Sequence, residues 1–172
     1  PLAHCTFANV LFHQGEVEWA FQLFAEGQGA FPQSIDIPFK LASLAQQFGQ
    51  PELAKTALLQ SSAYGQSVPL QLQYCRLLIR CGDFGQAIAS LDKIDTDQYN
   101  WRKQIEQLRG ELAIQQYDFK TAAVHYQKAI AFHPPTSYER SQLARILLLE
   151  GYIEDAHHLL ELATEDLENK RS

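Results

Sequence analysis

Six histidines, three cysteines and a scatter of serines and carboxylates are the side chains through which this sequence would do chemistry, and their spacing argues against it. His157 and His158 are adjacent, so on a helix they point about 100° apart and cannot chelate as an i,i+4 pair does. His125 and His133 are two turns apart, and His4 and His13 lie nine residues apart. No His-Glu-x-x-His pattern occurs. Cys5, Cys75 and Cys81 match no zinc framework and cannot all pair with one another, which predicts buried free thiols filling small core sites in a reducing, cytoplasmic setting. There is no Gly-x-Ser-x-Gly elbow, phosphate loop or dinucleotide glycine pattern. The expectation is a protein with no cofactor, no metal and no enzymatic activity of its own.

Charge narrows the class of partner. A formal charge of −6 and a pI near 5.5 oppose general nucleic-acid binding, which requires a basic surface to neutralise phosphates. They equally oppose a polybasic membrane patch. Apolar runs such as that within 145–149 fall far short of the ~20 residues that span a bilayer. The N-terminus lacks the basic and apolar regions of a signal peptide. No methionine occurs and the chain opens on Pro1, so either an initiator has been removed, or modified methionines are missing from the sequence, or the chain is a fragment of a longer protein, the favoured reading.

Since no cluster of reactive groups stands out, the organisation must be sought in the elements themselves, and these repeat. Ala20, Ala54, Ala87, Ala122 and Ala156 recur at steps of 34, 33, 35 and 34 residues. Twelve residues before each stands a small side chain or a cysteine: Ala8, Ala42, Cys75, Gly110 and Ala144. Five before each is a turn position: Gly15, Gly49, Gly82, Tyr117 and Gly151. Four after each is a bulky one: Phe24, Leu58, Leu91, Tyr126 and Leu160. The pattern predicts helical hairpins, with small residues wherever two helices approach closely and large ones filling the gaps between them. The glycines supply left-handed helix ends, and Pro51 and Pro69 suit first helical turns. Thr136 to Glu139 form a capping box for a helix running to about Glu150. Phe31 to Ser34 and Phe132 to Pro135 read as turns between hairpins. No segment of length alternates with period two, so no sheet is expected.

On these residues the chain resembles the tetratricopeptide repeats. The resemblance is clearest at Gly110, Phe119, Ala122, Tyr126, Ala129 and Pro134, then at Ala144, Gly151, Ala156, Leu160 and Ala163, and in the first unit at Ala8, Gly15, Ala20, Phe24 and Pro32. The middle units depart from it: Pro51 stands where an aromatic is usual, and Ser61 and Ile94 where alanine is. Glu106 and Arg109 occupy apolar places, so that helix is either rotated or begins earlier, near Asp97 or Tyr99. The resemblance implies an all-α, right-handed superhelical solenoid of about five helix-turn-helix repeats, forming one domain over 1–172 with repeats at about 1–34, 35–67, 68–102, 103–136 and 137–170.

It further implies that the first helix of each hairpin lines a concave groove for a protein or peptide. The groove residues carried over are Asn9, Phe12, His13, Phe39, Ser43, Gln47, Leu72, Arg76, Ile79, Arg80, Glu111, Tyr138, Arg145 and Leu148. Arg76, Arg80 and Arg145 would steer an acidic or carboxylate-bearing peptide, unless they pair with Glu111 or Asp83 or are simply solvated. Phe12, Phe39, Leu72, Ile79 and Leu148 would be exposed in an empty groove, open to an amphipathic helix, to a flanking segment or to a second copy of the chain. The two-carboxylate clamp of chaperone-binding relatives is rejected, because only Asn9 matches while Cys5, Lys40, Pro69 and Gln73 do not. Two functions therefore stand open: a non-catalytic protein-interaction scaffold, or the regulatory or substrate-recruiting domain of a larger enzyme such as a glycosyl- or sulfo-transferase. RNA binding is disfavoured by charge. Glu161, Glu165, Asp166 and Glu168 read as a solvated face of the last helix, with Lys170 and Arg171 at its negative end.

Overall fold

The small residues fall where helix must meet helix, and this spacing dictates the architecture. The computed structural model describes residues 2–132 and 136–169. Ten α-helices and one 3-10 turn, with no strand, are found among the described residues. They are α1 (Leu2–His13), α2 (Val17–Ala30), α3 (Asp36–Gln47), α4 (Pro51–Leu59), α5 (Val68–Cys81), α6 (Phe84–Leu91), α7 (Tyr99–Gln115), α8 (Phe119–Ala131), α9 (Ser137–Leu149) and α10 (Ile153–Asn169). The 3-10 turn, Tyr64–Gln66, precedes α5.

The chain divides into two compact units, residues 1–90 and 91–172. In the first, α1 pairs with α2 and α3 with α4. α2 then packs on α3 and α4 on α5, while the first helices α1, α3 and α5 lie side by side. In the second, α7 pairs with α8 and α9 with α10, and α8 packs on α9. All five recurrent alanines are fully buried, as are Ala8, Ala42, Cys75 and Ala144. Phe24 lies in a core with Ala8, Ile37 and Leu41, and Tyr126 in one with Ala113, Ala122, Leu143 and Ile146. The large residue of a second helix thus fills the space that the small residue of its own first helix leaves open, and reaches the next hairpin as well.

All five hairpin turns use one device. Gly15, Gly49, Gly82, Tyr117 and Gly151 have positive φ. The residue after each returns an amide to the carbonyl five positions earlier, as in Glu16 N to Leu11 O at 2.9 Å and Asp118 N to Ala113 O at 2.9 Å. This is the left-handed helix end that glycine adopts without strain. Tyr117 is the exception, a non-glycine residue at φ 60° whose ring is exposed and meets Phe119 edge-on. Tyr117→Gly is therefore expected to raise stability by about 1 kcal/mol through relief of left-handed strain. A circular-dichroism melt that stays level or falls would show that the backbone bears no strain there.

The middle repeats depart from pattern for a physical reason. α4 has 9 residues and α6 has 8, against 14 for α2 and 13 for α8. Ser61 and Ile94 thus lie beyond the ends of their helices, where no partner helix demands alanine. The departure in α7 resolves as an early start at Tyr99 rather than a rotation: Ile105, Leu108 and Leu112 are buried and Gly110 keeps its register against Tyr126. Arg109 sits half-buried because it reaches two carboxylates, Glu106 at 3.0 Å and Asp92 at 2.8 Å. The turn expected at Phe132 to Pro135 falls partly, and Lys170 and Arg171 wholly, outside the described residues, as do the side chains of Glu165, Asp166 and Glu168. Glu161 is exposed, as expected.

Candidate interaction surface

The cysteines fall into two kinds. Cys5 and Cys75 are buried, and burial pushes the Cys75 thiol up to about 12 against the opposing pull of Arg76. Cys81, expected in the core, is exposed, because it closes the last turn of α5 beside the left-handed Gly82. Among the described residues no group of three histidine, cysteine or carboxylate side chains is placed to hold a metal. His125 is engaged instead with Glu106, Nδ1 to Oε2 at 2.8 Å.

Among the described residues, recesses open on the surface of both units. One of about 470 Å³ in the first unit is lined by Gln46, Lys55, Arg80, Cys81 and Asp83. Lys55 donates to Asp83 at 2.6 Å and to Glu52 at 2.9 Å, and these bonds raise its pKa well above the usual lysine value. An amine held protonated in this way is neither a base nor a nucleophile. The second, about 540 Å³, lies in the second unit among Asp92, Arg102, Glu106, Arg109, Lys128 and Phe132. There Arg109 already binds both Asp92 and Glu106.

The residues expected on the groove are sorted by the two units. In the first unit the row formed by α1, α3 and α5 carries Asn9, Phe12, Phe39, Ser43 and Arg76 half-buried, with His13, Gln47 and Arg80 exposed. The Phe12 ring lies 4.5 Å edge-to-face from Phe48, an exposed aromatic that the repeat pattern did not single out. Ser43 spends its hydroxyl on the Phe39 carbonyl at 2.9 Å. Leu72 and Ile79 are corrections: both are buried, not exposed. α5 packs against α3, α4 and the 3-10 turn, and eight of its fourteen residues are buried, so side chains that would face a groove on a barer helix are enclosed here. Asp83, a candidate partner for the arginines, is held by Lys55.

In the second unit Tyr138 donates to Glu111 Oε1 at 2.8 Å, joining α9 to α7, while Arg145 and Leu148 are exposed on α9. The same two helices share a feature that the sequence signalled only as a cap. Glu139 is fully buried, with Lys103 Nζ at 2.9 Å from Oε1 and Gln107 also bonded to that oxygen. The Thr136 amide donates to Oε2 at 2.6 Å, and its hydroxyl bonds there too. Burial alone would raise this carboxyl, but the bonds from Thr136 and Lys103 outweigh it and hold the group below its ordinary value.

The charge of the first-unit row differs from that of the whole chain. α1, α3 and α5 carry Lys40, Arg76 and Arg80 but only one carboxylate, Asp36. The acidic residues of this unit lie otherwise on second helices and turns, at Glu16, Glu18, Glu26, Glu52 and Asp83. A cationic strip thus marks α3 and α5 of the first unit in an otherwise acidic chain.

Stacked hairpins of this geometry define the tetratricopeptide-repeat fold. The solved structure of PilF from Pseudomonas aeruginosa superposes with a TM-score of 0.76 at 17% identity, over 95% of this chain and 75% of that one. PilW, a type IV pilus biogenesis factor, gives 0.76 at 18% identity, covering 96% and 77%. A thermophilic TPR protein of Thermus thermophilus gives 0.67 at 19% identity, covering 96% and 90%. No family model and no curated protein sequence matches the chain. Among the described residues no helix is long and apolar enough to cross a membrane.

Proposed function

We propose that the chain is a non-catalytic scaffold that holds a peptide or protein along the row of first helices, and that its first unit selects acidic, amphipathic segments. The observation that carries this reading is the cationic strip on α3 and α5, in a row of helices that also carries the half-buried rings of Phe12 and Phe39. Basic side chains beside apolar ones suit a helix or extended peptide with carboxylates on one edge and aliphatic groups on the other. The reading is supported by the side-by-side packing of α1, α3 and α5, which carry His13, Gln47 and Arg80 exposed.

The test is selection from a random peptide display library at low salt. The wild-type chain is expected to enrich acidic sequences with spaced apolar residues. Arg76→Glu with Arg80→Glu should weaken the enriched peptide at least about tenfold, or ~1.4 kcal/mol, while leaving the helical melt nearly unaltered. Enrichment of neutral or basic peptides, or equal binding by the variant, would remove the electrostatic basis of the proposal.

A further inference from the structure

Two of the second helices are cut short, and the chain treats the two gaps differently. α2 and α8 run well past Ala20 and Ala122, to Ala30 and Ala131, whereas α4 and α6 stop soon after Ala54 and Ala87, at Leu59 and Leu91. A shortened second helix leaves space beside the first helix that follows it. After α4 the chain fills that space itself: Ser61 and Ala63 are buried, and Gln71 fastens the 3-10 turn to α5. After α6 the connection over residues 92–98 forms no helix, and the recess of about 540 Å³ is left among it, α7 and α8. All the residues that line it lie between Leu91 and Phe132, within the second unit.

The wall combines apolar surface with cations that have nothing to bind. Ile94, Ile105 and Phe132 supply the apolar part, Ile105 buried and the other two half-buried. Arg109 is already spent on Asp92 and Glu106, and Glu106 gives its other oxygen to His125. Arg102 of α7 and Lys128 of α8 are not spent: among the described residues neither makes a hydrogen bond or an ion pair. Against these two stands a single carboxylate that is likewise without a partner there, Asp95. Thr96 Oγ accepts from the Gln98 amide at 3.3 Å, which leaves the hydroxyl proton available to a further acceptor.

The geometry points to a binding site for a small organic anion. Its carboxylate, sulfonate or phosphate head is met by Arg102, Lys128 and the Thr96 hydroxyl, and its aromatic or branched aliphatic body lies against Ile94, Ile105 and Phe132. The volume falls within the range of small-molecule sites, about 300–1,000 Å³. A guanidinium presents paired donors to a planar or tetrahedral anion, and an ammonium adds a second charge from another helix. The site owes nothing to the row of first helices in the first unit, so it binds its ligand independently of any peptide held there.

The test is fluorescence titration with anilinonaphthalene sulfonate, an anion on an apolar ring system that brightens when its rings leave water. The wild type is expected to bind it saturably. Arg102→Gln with Lys128→Gln should weaken binding at least about tenfold, or ~1.4 kcal/mol. The uncharged relative N-phenylnaphthylamine, which keeps the rings and lacks the sulfonate, should bind the wild type more weakly by a similar factor. Ile94→Trp, which fills the recess, should also reduce binding of the sulfonate. Arg76→Glu with Arg80→Glu, in the first unit, should leave it unchanged. Circular-dichroism melts check that each variant is folded, and should the tryptophan impair folding, the exposed Arg102 and Lys128 decide the matter alone. A wild type that does not bind, a charge variant that binds as tightly as the wild type, equal binding of the uncharged relative, or loss of binding in the first-unit variant would each overturn the proposal.

Discussion

Replacing Lys103 with Met is expected to cost about 3–5 kcal/mol, enough to leave the second unit partly unfolded at room temperature. Glu139 has no access to solvent, and the Lys103 ammonium meets it at 2.9 Å. Removing the ammonium strands a carboxylate inside the protein, and breaking a buried pair on one side is far worse than never having it. The double change Lys103→Met with Glu139→Gln should recover more than half the loss, since glutamine still accepts from the Thr136 amide at the helix cap. The pH dependence gives the same account with a sign attached. In the wild type the Glu139 carboxyl is held below its ordinary value of 4.5, so its contribution is fully present above that pH and is lost as pH falls through the lower, folded value. Without Lys103, burial dominates and raises the group. The gap in melting temperature between variant and wild type should then narrow as pH falls below about 5. A gap that holds constant between about pH 7 and about pH 4 would show that Glu139 is not the group responsible.

Gly110→Ala should cost near the upper end of the ~1–3 kcal/mol range for overpacking. A Cβ built at this position meets the Tyr126 ring at 2.7, 2.9 and 3.2 Å. The ring cannot retreat, because it is fully buried against Ala113, Ala122, Leu143 and Ile146. The diagnostic is a double-mutant cycle. Tyr126→Leu alone opens a void and destabilises, but combined with Gly110→Ala it returns space to the new methyl group. The pair should lose at least ~1 kcal/mol less than the sum of the single losses. Additive losses would mean that the strain lies elsewhere on α7.

These two sites show what the sequence disclosed and where it fell silent. The alignment of small residues was legible because close helix approach admits few side chains. All ten positions so identified are indeed buried in the structure, and the five turn positions all take positive φ, including Tyr117. The partnership of Gly110 with Tyr126 follows from the same rule. The ion pair did not follow, because Lys103 and Glu139 lie 36 residues apart and the capping box already accounted for the glutamate. Its clue was positional: Glu139 occupies the place where Ile37, Leu70 and Ile105 stand in other hairpins. Leu72 and Ile79 were misassigned because the repeat pattern treats every first helix alike, whereas the folded-back connection before α5 encloses that helix more fully. Gln71 Nε2 bonds the carbonyls of Tyr64 and Gly65, and the Tyr64 and Tyr74 rings meet edge-on, so the 3-10 turn is fastened to the helix.

The unequal placement of the three thiols has a practical meaning. Two are sequestered by packing and stay protonated at neutral pH, while the third sits at a helix end next to Arg80. The native sequence therefore supplies its own single address for a maleimide fluorophore, at the edge of the cationic strip. Occupancy of that strip becomes an optical signal without any engineered cysteine.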